Sequence, residues 1–303
     1  MGRWARRVTV IANPRGGTAA EVPSGAVVDR LERAGVEVRV VRTGWPGHAS
    51  ELAREAADAG VDAVVAVGGD GTASEVAAGL AGVGGTALMV VPAGTGNSFY
   101  REIWADRPWA EALDEAFGAG RPVLRGVDLA RVAETGELAL LGACSGLVAE
   151  ALAVASGLGE VVGRDRYQQA VALTLRDFAP YPGRVSIDGE LVHEGTVVLA
   201  NVGGGRFRGG SFMVLPHSVL DDGLLDVCVV TGRLDPRELP GLTREGRHTE
   251  RPEVVYRRGR SVLLERTDGE PLTFERDGEV MTGSATRYRL DVVPAALNVL
   301  APG

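Results

Sequence analysis

Val61-Asp62-Ala63-Val64-Val65-Ala66-Val67 runs straight into Gly68-Gly69-Asp70-Gly71-Thr72, and a helical pattern follows over Ser74–Leu80. A short aliphatic run with almost no polar break reads as a strand buried on both faces. A glycine-rich loop behind it that opens a helix makes the passage one strand–loop–helix unit of a parallel sheet. Working outward, Val8–Ala12 reads as an earlier strand, with a helical segment near Gly25–Ala34. Val36–Val41 is a further strand, Ala49–Ala59 a helix with Leu52 and Ala56 on one face, and Leu88–Val91 a fourth strand. Strands alternating with helices predict an α/β domain over residues 1–125.

Glycine-rich loops close three of these strands: Asn13-Pro14-Arg15-Gly16-Gly17, Gly68-Gly69-Asp70-Gly71-Thr72 and Pro92-Ala93-Gly94-Thr95-Gly96-Asn97. In an open parallel sheet the carboxyl ends of the strands share one edge, where ligands bind. Glycine lets the backbone come close to a ligand and turn its N–H groups toward phosphate oxygens, and the helix that follows adds partial positive charge. One such loop is only a tight turn. Three together, with Asp70, Thr72, Thr95 and Asn97 inside them, point to a phosphate or nucleotide site. Asp70 is placed to meet Mg²⁺ or a hydroxyl proton. Gly82-Val83-Gly84-Gly85-Thr86-Ala87 matches a loose dinucleotide pattern, but it precedes a strand instead of following one, and reads as a turn.

After about Gly126 the pattern changes. Arg184–Ile187, Thr196–Ala200, Leu224–Val230, Val254–Tyr256, Ser261–Arg266 and Leu272–Arg276 are short, rich in β-formers and separated by turn residues. They predict an antiparallel, sandwich-like domain over 126–287, with the segment from about 288 to 303 a candidate to return to the first domain. A helix over Asp165–Phe178 interrupts the strands. The apolar run Leu147–Val162 suits a core helix or the wall of a lipid pocket.

Composition narrows the function. With 303 residues, 45% hydrophobic and 24% charged, the chain can hold two compact domains. A net charge of −8 argues against nucleic acid as a partner. All 32 basic residues counted as Lys+Arg are arginine, so a Walker A loop with its phosphate-gripping lysine is excluded. The two cysteines, Cys144 and Cys228, lie far apart and in no zinc-binding spacing. His48, His193, His217 and His248 are scattered and read as surface or turn residues. No stretch approaches the ~18 apolar residues of a membrane span. A cytoplasmic protein that meets lipid only at a membrane surface is the expectation, and a homodimer is left open.

Taken together, Gly69-Asp70-Gly71-Thr72 with Glu75, the Asn13-Pro14-Arg15-Gly16-Gly17 start and the Pro92…Asn97 loop resemble the diacylglycerol/sphingosine lipid kinase catalytic domain. Thr43 with Gly47-His48-Ala49, Asn201 with Gly203-Gly204-Gly205, Pro216, Asp222-Gly223 and Asp277-Gly278-Glu279 extend the likeness in family order. The resemblance implies a nucleotide-binding α/β domain of the NAD kinase and phosphofructokinase type, then a β-sandwich-like domain, with the active site in the cleft between them. It implies ATP held by Asn13, Arg15, Gly16, Thr43, Gly69, Asp70, Gly71, Thr72, Glu75, Gly94, Thr95 and Asn97. It also implies a structural Mg²⁺ near Asp222, Leu224 and Val219, Asp128 in the metal–water network, and Glu150 near the lipid headgroup; Arg164 and Arg166, beside Tyr167, are further candidates to flank that headgroup. Asn97-Ser98-Phe99-Tyr100-Arg101 lacks the carboxylate that many bacterial diacylglycerol kinases place after the asparagine, and so leans toward the sphingosine kinase branch.

Phosphoryl transfer asks for an in-line γ-phosphoryl, neutralised charge and a positioned hydroxyl, often beside a carboxylate. The expected reaction is ATP- and Mg²⁺-dependent transfer to a diacylglycerol- or sphingoid-type alcohol, with peripheral membrane contact. Asp277 is expected as general base, Asp70 as organiser of Mg²⁺ and phosphates, and Glu279 as a third catalytic carboxylate. Asp70 as base is the open alternative. Asp277-Gly278 is also a common hairpin dipeptide, as are Asp188-Gly189 and Asp268-Gly269. Arg206 and Arg208 could reach phosphate, or sit on a solvated hairpin. Rival readings are a kinase of a small soluble or hydrophobic metabolite, and a nucleotide-binding regulator without turnover.

Overall fold

In the computed structural model, residues 5–14, 24–118, 122–159 and 163–303 are described, those at 163 and 164 without side chains. The chain divides into two compact units, residues 1–127 with 294–303, and residues 128–293.

In the first unit, the strands β1 (Arg7–Ala12), β2 (Glu37–Arg42), β3 (Ala63–Gly68) and β4 (Ala87–Pro92) alternate with the helices α1 (Ser24–Arg33), α2 (His48–Asp58) and α3 (Asp70–Leu80). Two further helices follow, α4 (Ser98–Trp104) and α5 (Trp109–Phe117). All four strands run parallel in the order β4-β3-β1-β2. Every residue of β3 is buried, as its unbroken aliphatic sequence requires, whereas β2 at the sheet edge is half exposed. The chain leaves β1 for β2 on one side and returns to place β3 on the other. The crevice beyond the carboxyl ends of β1 and β3 is therefore the topological switch point. Helix α3 begins at Asp70, four residues before the helical pattern in the sequence, so Asp70 belongs to its first turn and not to a loop.

The second unit holds β5 (Val123–Val132), β6 (Leu138–Ala139), β7 (Gly142–Gly146), α6 (Leu147–Gly157), α7 (Gly163–Asp177), β8 (Tyr181–Ile187) and β9 (Glu190–Gly203). Then come β10 (Phe207–Arg208), β11 (Phe212–Met213), β12 (Leu225–Thr231), α8 (Leu239–Arg244), β13 (Val254–Gly259), β14 (Ser261–Arg266), β15 (Phe274–Arg276), β16 (Glu279–Val280) and β17 (Arg287–Ala301). The first residues of β5 and the last of β17, from Pro294, count with the first unit, where Val299 pairs with Leu88 of β4. Pairing within the second unit is antiparallel. Long β9 pairs with β8 over its first half, and over its second half lies between β7 and β12, with Asn201 opposite both Cys144 and Cys228. Strict alternation of buried and half-buried residues along β8 marks a strand with one face on the core. Val185, Val202, Leu264, Phe274 and Tyr288 belong to one apolar cluster, and Leu199, Leu215, Val230 and Leu239 to another.

Two features differ from the sequence expectations. Strand β7, Gly-Ala-Cys-Ser-Gly in composition, is wholly buried although it has no β-branched residue; close backbone packing between β9 and β15 selects it. His248 is fully buried rather than on the surface, because its Nε2 meets the Val214 carbonyl at 2.9 Å.

Candidate functional site

At the switch point the loops hold one another. The Asn13 backbone N–H donates to the Val67 carbonyl, and its Nδ2 donates to Thr72 Oγ1 at 3.0 Å. Gly69 and Gly94 meet backbone to backbone: a Cβ on Gly94 would lie 2.3 Å from Gly69 Cα, so any side chain there would push the two loops apart. Asn97, in the left-handed region at φ 53°, closes its own loop by accepting from Gly94 N–H and donating to Gly94 O. Its side chain therefore does not cap α4. Asp70 does so from across the crevice, its two carboxylate oxygens accepting the N–H groups of Ser98 and Phe99 at 2.9 and 3.0 Å. Glu75 does the same for α2, accepting from Ala49 N–H at 3.0 Å. The Thr43 N–H donates to the Ala12 carbonyl, which brings the end of β2 to the same edge. Helix α3 has no side-chain cap, since its N-cap is Gly69. Its positive end opens beside exposed Gly71 and Thr95, as an anion site requires.

Ten of the expected nucleotide residues thus share one edge: Asn13, Thr43, Gly69, Asp70, Gly71, Thr72, Glu75, Gly94, Thr95 and Asn97. Arg15 and Gly16 lie outside the described residues.

In the second unit, Asp277-Gly278 is the two-residue turn between β15 and β16, both residues at positive φ (49° and 88°). The Asp277 side chain is 3% exposed. Its carboxylate accepts the N–H groups of Leu140, Leu141 and Gly142 at 2.7, 2.8 and 3.1 Å. Asp188-Gly189 repeats the device between β8 and β9, with Asp188 accepting from Arg260 and Ser261 N–H. Glu279 is exposed and pairs with Arg276 at 3.3 Å.

Across the neighbouring strands β15, β7 and β9 lies a polar group that no sequence motif announced. Glu275 is 2% exposed and accepts the Gly278 N–H at 2.7 Å; burial raises its carboxyl pKa, with Arg208 acting against the rise. Burial, then Glu275, pushes the Cys144 thiol up, so it is no nucleophile. Arg208 donates to the carbonyls of Leu141, Gly205 and Phe207 and to Asn201 Oδ1, so its guanidinium serves the fold. Position along β15, two residues before the Asp-Gly turn, was the signal available for Glu275.

Asp128, 4% exposed on β5, accepts the Gly223 N–H at 2.6 Å while its own N–H donates to Leu220 O. Asp222 accepts from Leu224 N–H and pairs with Arg258 at 3.0 Å; Val219 is exposed on the same loop. Beneath it, Asp226 is fully buried, held by the Tyr256 hydroxyl through Oδ1, with Oδ2 left without a hydrogen bond. Burial raises its carboxyl pKa, and nearby Asp222 adds to the rise.

A cavity of about 50 Å³ opens in the same unit. Leu147 and Val148 of α6, Tyr167 and Val171 of α7, Phe212 and Leu239 are among the residues that line it. The run from Leu147 thus forms a helix and supplies cavity wall. Glu150 lies half-buried one turn on along α6, its carboxyl pKa raised by burial and opposed by Arg266; Arg166 is half-buried on α7.

Residues 7–146 match the diacylglycerol kinase catalytic domain, and residues 143–301 match the YegS C-terminal NAD kinase beta sandwich-like domain. A probable lipid kinase YegS-like protein of Xanthomonas euvesicatoria is 34% identical over 91% of this chain and 90% of its own. A diacylglycerol kinase of Mycobacterium tuberculosis is 30% identical over 98% and 95%. Among solved structures, a putative diacylglycerol kinase from Bacillus anthracis shares the fold with a TM-score of 0.77 at 22% identity, covering 99% of this chain and 97% of that one. An NAD kinase from Archaeoglobus fulgidus in complex with ATP shares it more distantly, with a TM-score of 0.56 at 12% identity over 97% and 93%. The chain belongs to the diacylglycerol kinase and YegS-like lipid kinase family, ATP-dependent phosphotransferases with an alcohol group as acceptor.

Proposed function

We propose that this chain transfers the γ-phosphoryl group of Mg·ATP to the hydroxyl of a diacylglycerol- or sphingoid-type lipid alcohol presented at a membrane surface. The observation that carries the lipid over a soluble acceptor is the cavity walled by Leu147, Val148, Val171, Phe212 and Leu239, whose apolar lining favours an alkyl segment over a polar group. The uncapped end of α3, between two glycine loops in contact, supports phosphate binding through backbone N–H groups.

A hard cation fits the loop over Asp128 and Asp226. Carboxylate and carbonyl oxygens are its preferred donors, and Asp226 Oδ2 is a buried acceptor with no hydrogen bond. Among the described residues no group of three or more acidic, histidine or cysteine side chains could hold a metal alone, so carbonyls of Val219 and Leu224 and water would complete its shell. That cation would be structural, whereas the Mg²⁺ that accompanies ATP would supply charge neutralisation around the phosphates. Asp70 serves the phosphates by fixing α4 and the 94–97 loop. Asp277 is proposed to receive the hydroxyl proton, and Glu150 and Arg166 to meet the headgroup.

The test is transfer of radiolabelled γ-phosphate to diacylglycerol, a sphingoid base, a prenyl alcohol and NAD, each with and without Mg²⁺. Labelled diacylglycerol or sphingoid product that requires Mg²⁺ is expected. Label on NAD alone would transfer the reading to a soluble acceptor.

A further inference from the structure

The loop from β2 to α2, Thr43-Gly44-Trp45-Pro46-Gly47, carries a tryptophan that is 54% exposed. Trp104, by contrast, is 3% exposed. A lone exposed apolar residue needs no explanation. Trp45 differs because its plane is held. The indole stacks on His48 with ring centroids 3.6 Å apart and planes 8° from parallel. His48 is itself anchored, its Nδ1 accepting the Gly44 N–H at 3.0 Å and its N–H donating to Trp45 O. One face of the indole is backed by imidazole, and Pro46 stiffens the backbone beside it.

Its place in the sheet completes the case. Neighbouring strands lie about 4.8 Å apart, so the end of β2 stands roughly 10 Å across the edge from the end of β3. A nucleotide with phosphates at the first turn of α3 must lay its base along that edge, toward β4 or toward β2. On the β4 side Gly94 is packed on Gly69, and Asn97 closes the loop over itself. On the β2 side, past Asn13 and Thr43, stands Trp45. We infer that Trp45 is the platform on which the adenine ring of ATP stacks, with His48 fixing the indole plane. This rests on the nucleotide reading of the switch point and adds the base-binding residue to it. Stacking reads the π-face, so other purine nucleotides should be accepted nearly as well.

Calorimetry with Mg·ATP and with Mg·tripolyphosphate tests it on the wild type, Trp45→Ala and Trp45→Phe. The alanine variant should bind Mg·ATP about 5- to 150-fold more weakly, the range for loss of one base–aromatic stack. Its affinity for tripolyphosphate should not change, and phenylalanine should restore most of the loss. Tryptophan emission of the wild type should fall with ATP but not with tripolyphosphate, and Trp45→Phe should lose that response. Unchanged ATP affinity in Trp45→Ala overturns the inference, all the more if the variant has lost vesicle binding, which would make Trp45 a membrane contact. Equal weakening of both ligands also overturns it, because the defect would then lie in the phosphate loops. A wild type that binds neither ligand overturns the nucleotide reading along with it.

Discussion

Asp70, Glu75, Asp188 and Asp277 each accept backbone N–H groups from a different element. A carboxylate so placed orients the segment it caps. For Asp277 this raises the question whether it acts on the hydroxyl proton or only holds residues 140–142. Asp188 is an internal control, with the same turn and the same kind of bonds. Asparagine at buried Asp277 turns an amide toward N–H donors and should cost about 1–3 kcal/mol of stability, and less at exposed Asp188. Both Asp188→Asn and Asp277→Asn should therefore melt lower by calorimetry. With a lipid acceptor well below the melting range, Asp188→Asn should keep its kcat, while Asp277→Asn should lose about 10²–10⁴-fold, the usual worth of a general base. An Asp277→Asn enzyme that retains more than about a tenth of wild-type kcat leaves Asp277 a structural role alone.

At the scale of elements, α8 and the short turn Arg247–Glu250 lie between β12 and β13, and α8 supplies Leu239, Pro240 and Thr243 to the cavity wall. His248 fastens them through Nε2 to Val214 O. Burial lowers its pKa below the ordinary 6.5, nearby His217 adds to the lowering, and the hydrogen bond to Val214 opposes it. Because the folded-state value lies below the unfolded one, the unfolded chain binds more protons as pH falls through 6.5. The stability that His248 gives is complete above that pH and is lost on acidification toward the folded value. Each pH unit of depression is worth about 1.4 kcal/mol. The melting temperature should drop from pH ~7.5 to ~5.5 in the wild type and drop less in His248→Gln. Parallel curves for the two proteins would remove His248 from the transition.

At the scale of the whole molecule, no described helix is long and apolar enough to cross a membrane, and the net charge is −8. On the proposed lipid reading the acceptor is met by surface docking, and an acidic protein gains little from an anionic bilayer except through local arginines. Co-sedimentation with vesicles containing anionic lipid should be weak at low salt and weaker at high salt. Absence of binding at both salts, together with turnover of a freely soluble alcohol, would count against the lipid acceptor.

Sequence alone was enough for the parallel sheet, because buried strands demand unbroken aliphatic runs and Val61–Val67 is such a run. It was enough as well for the glycine loops after β3 and β4, whose close approach at Gly69 and Gly94 no other residue allows. Family order along the chain pointed to Asp222 and Asp277. Which backbone groups the carboxylates hold was decided only by tertiary structure. Asp70 reaches Ser98, and Asp277 reaches Leu140, across 28 and 137 residues, separations that carry no periodic signal. The same holds for β7, buried without β-formers between β9 and β15, and for His248, buried by contact with Val214. Local propensity records what a residue prefers by itself; these positions are set by what packs against them.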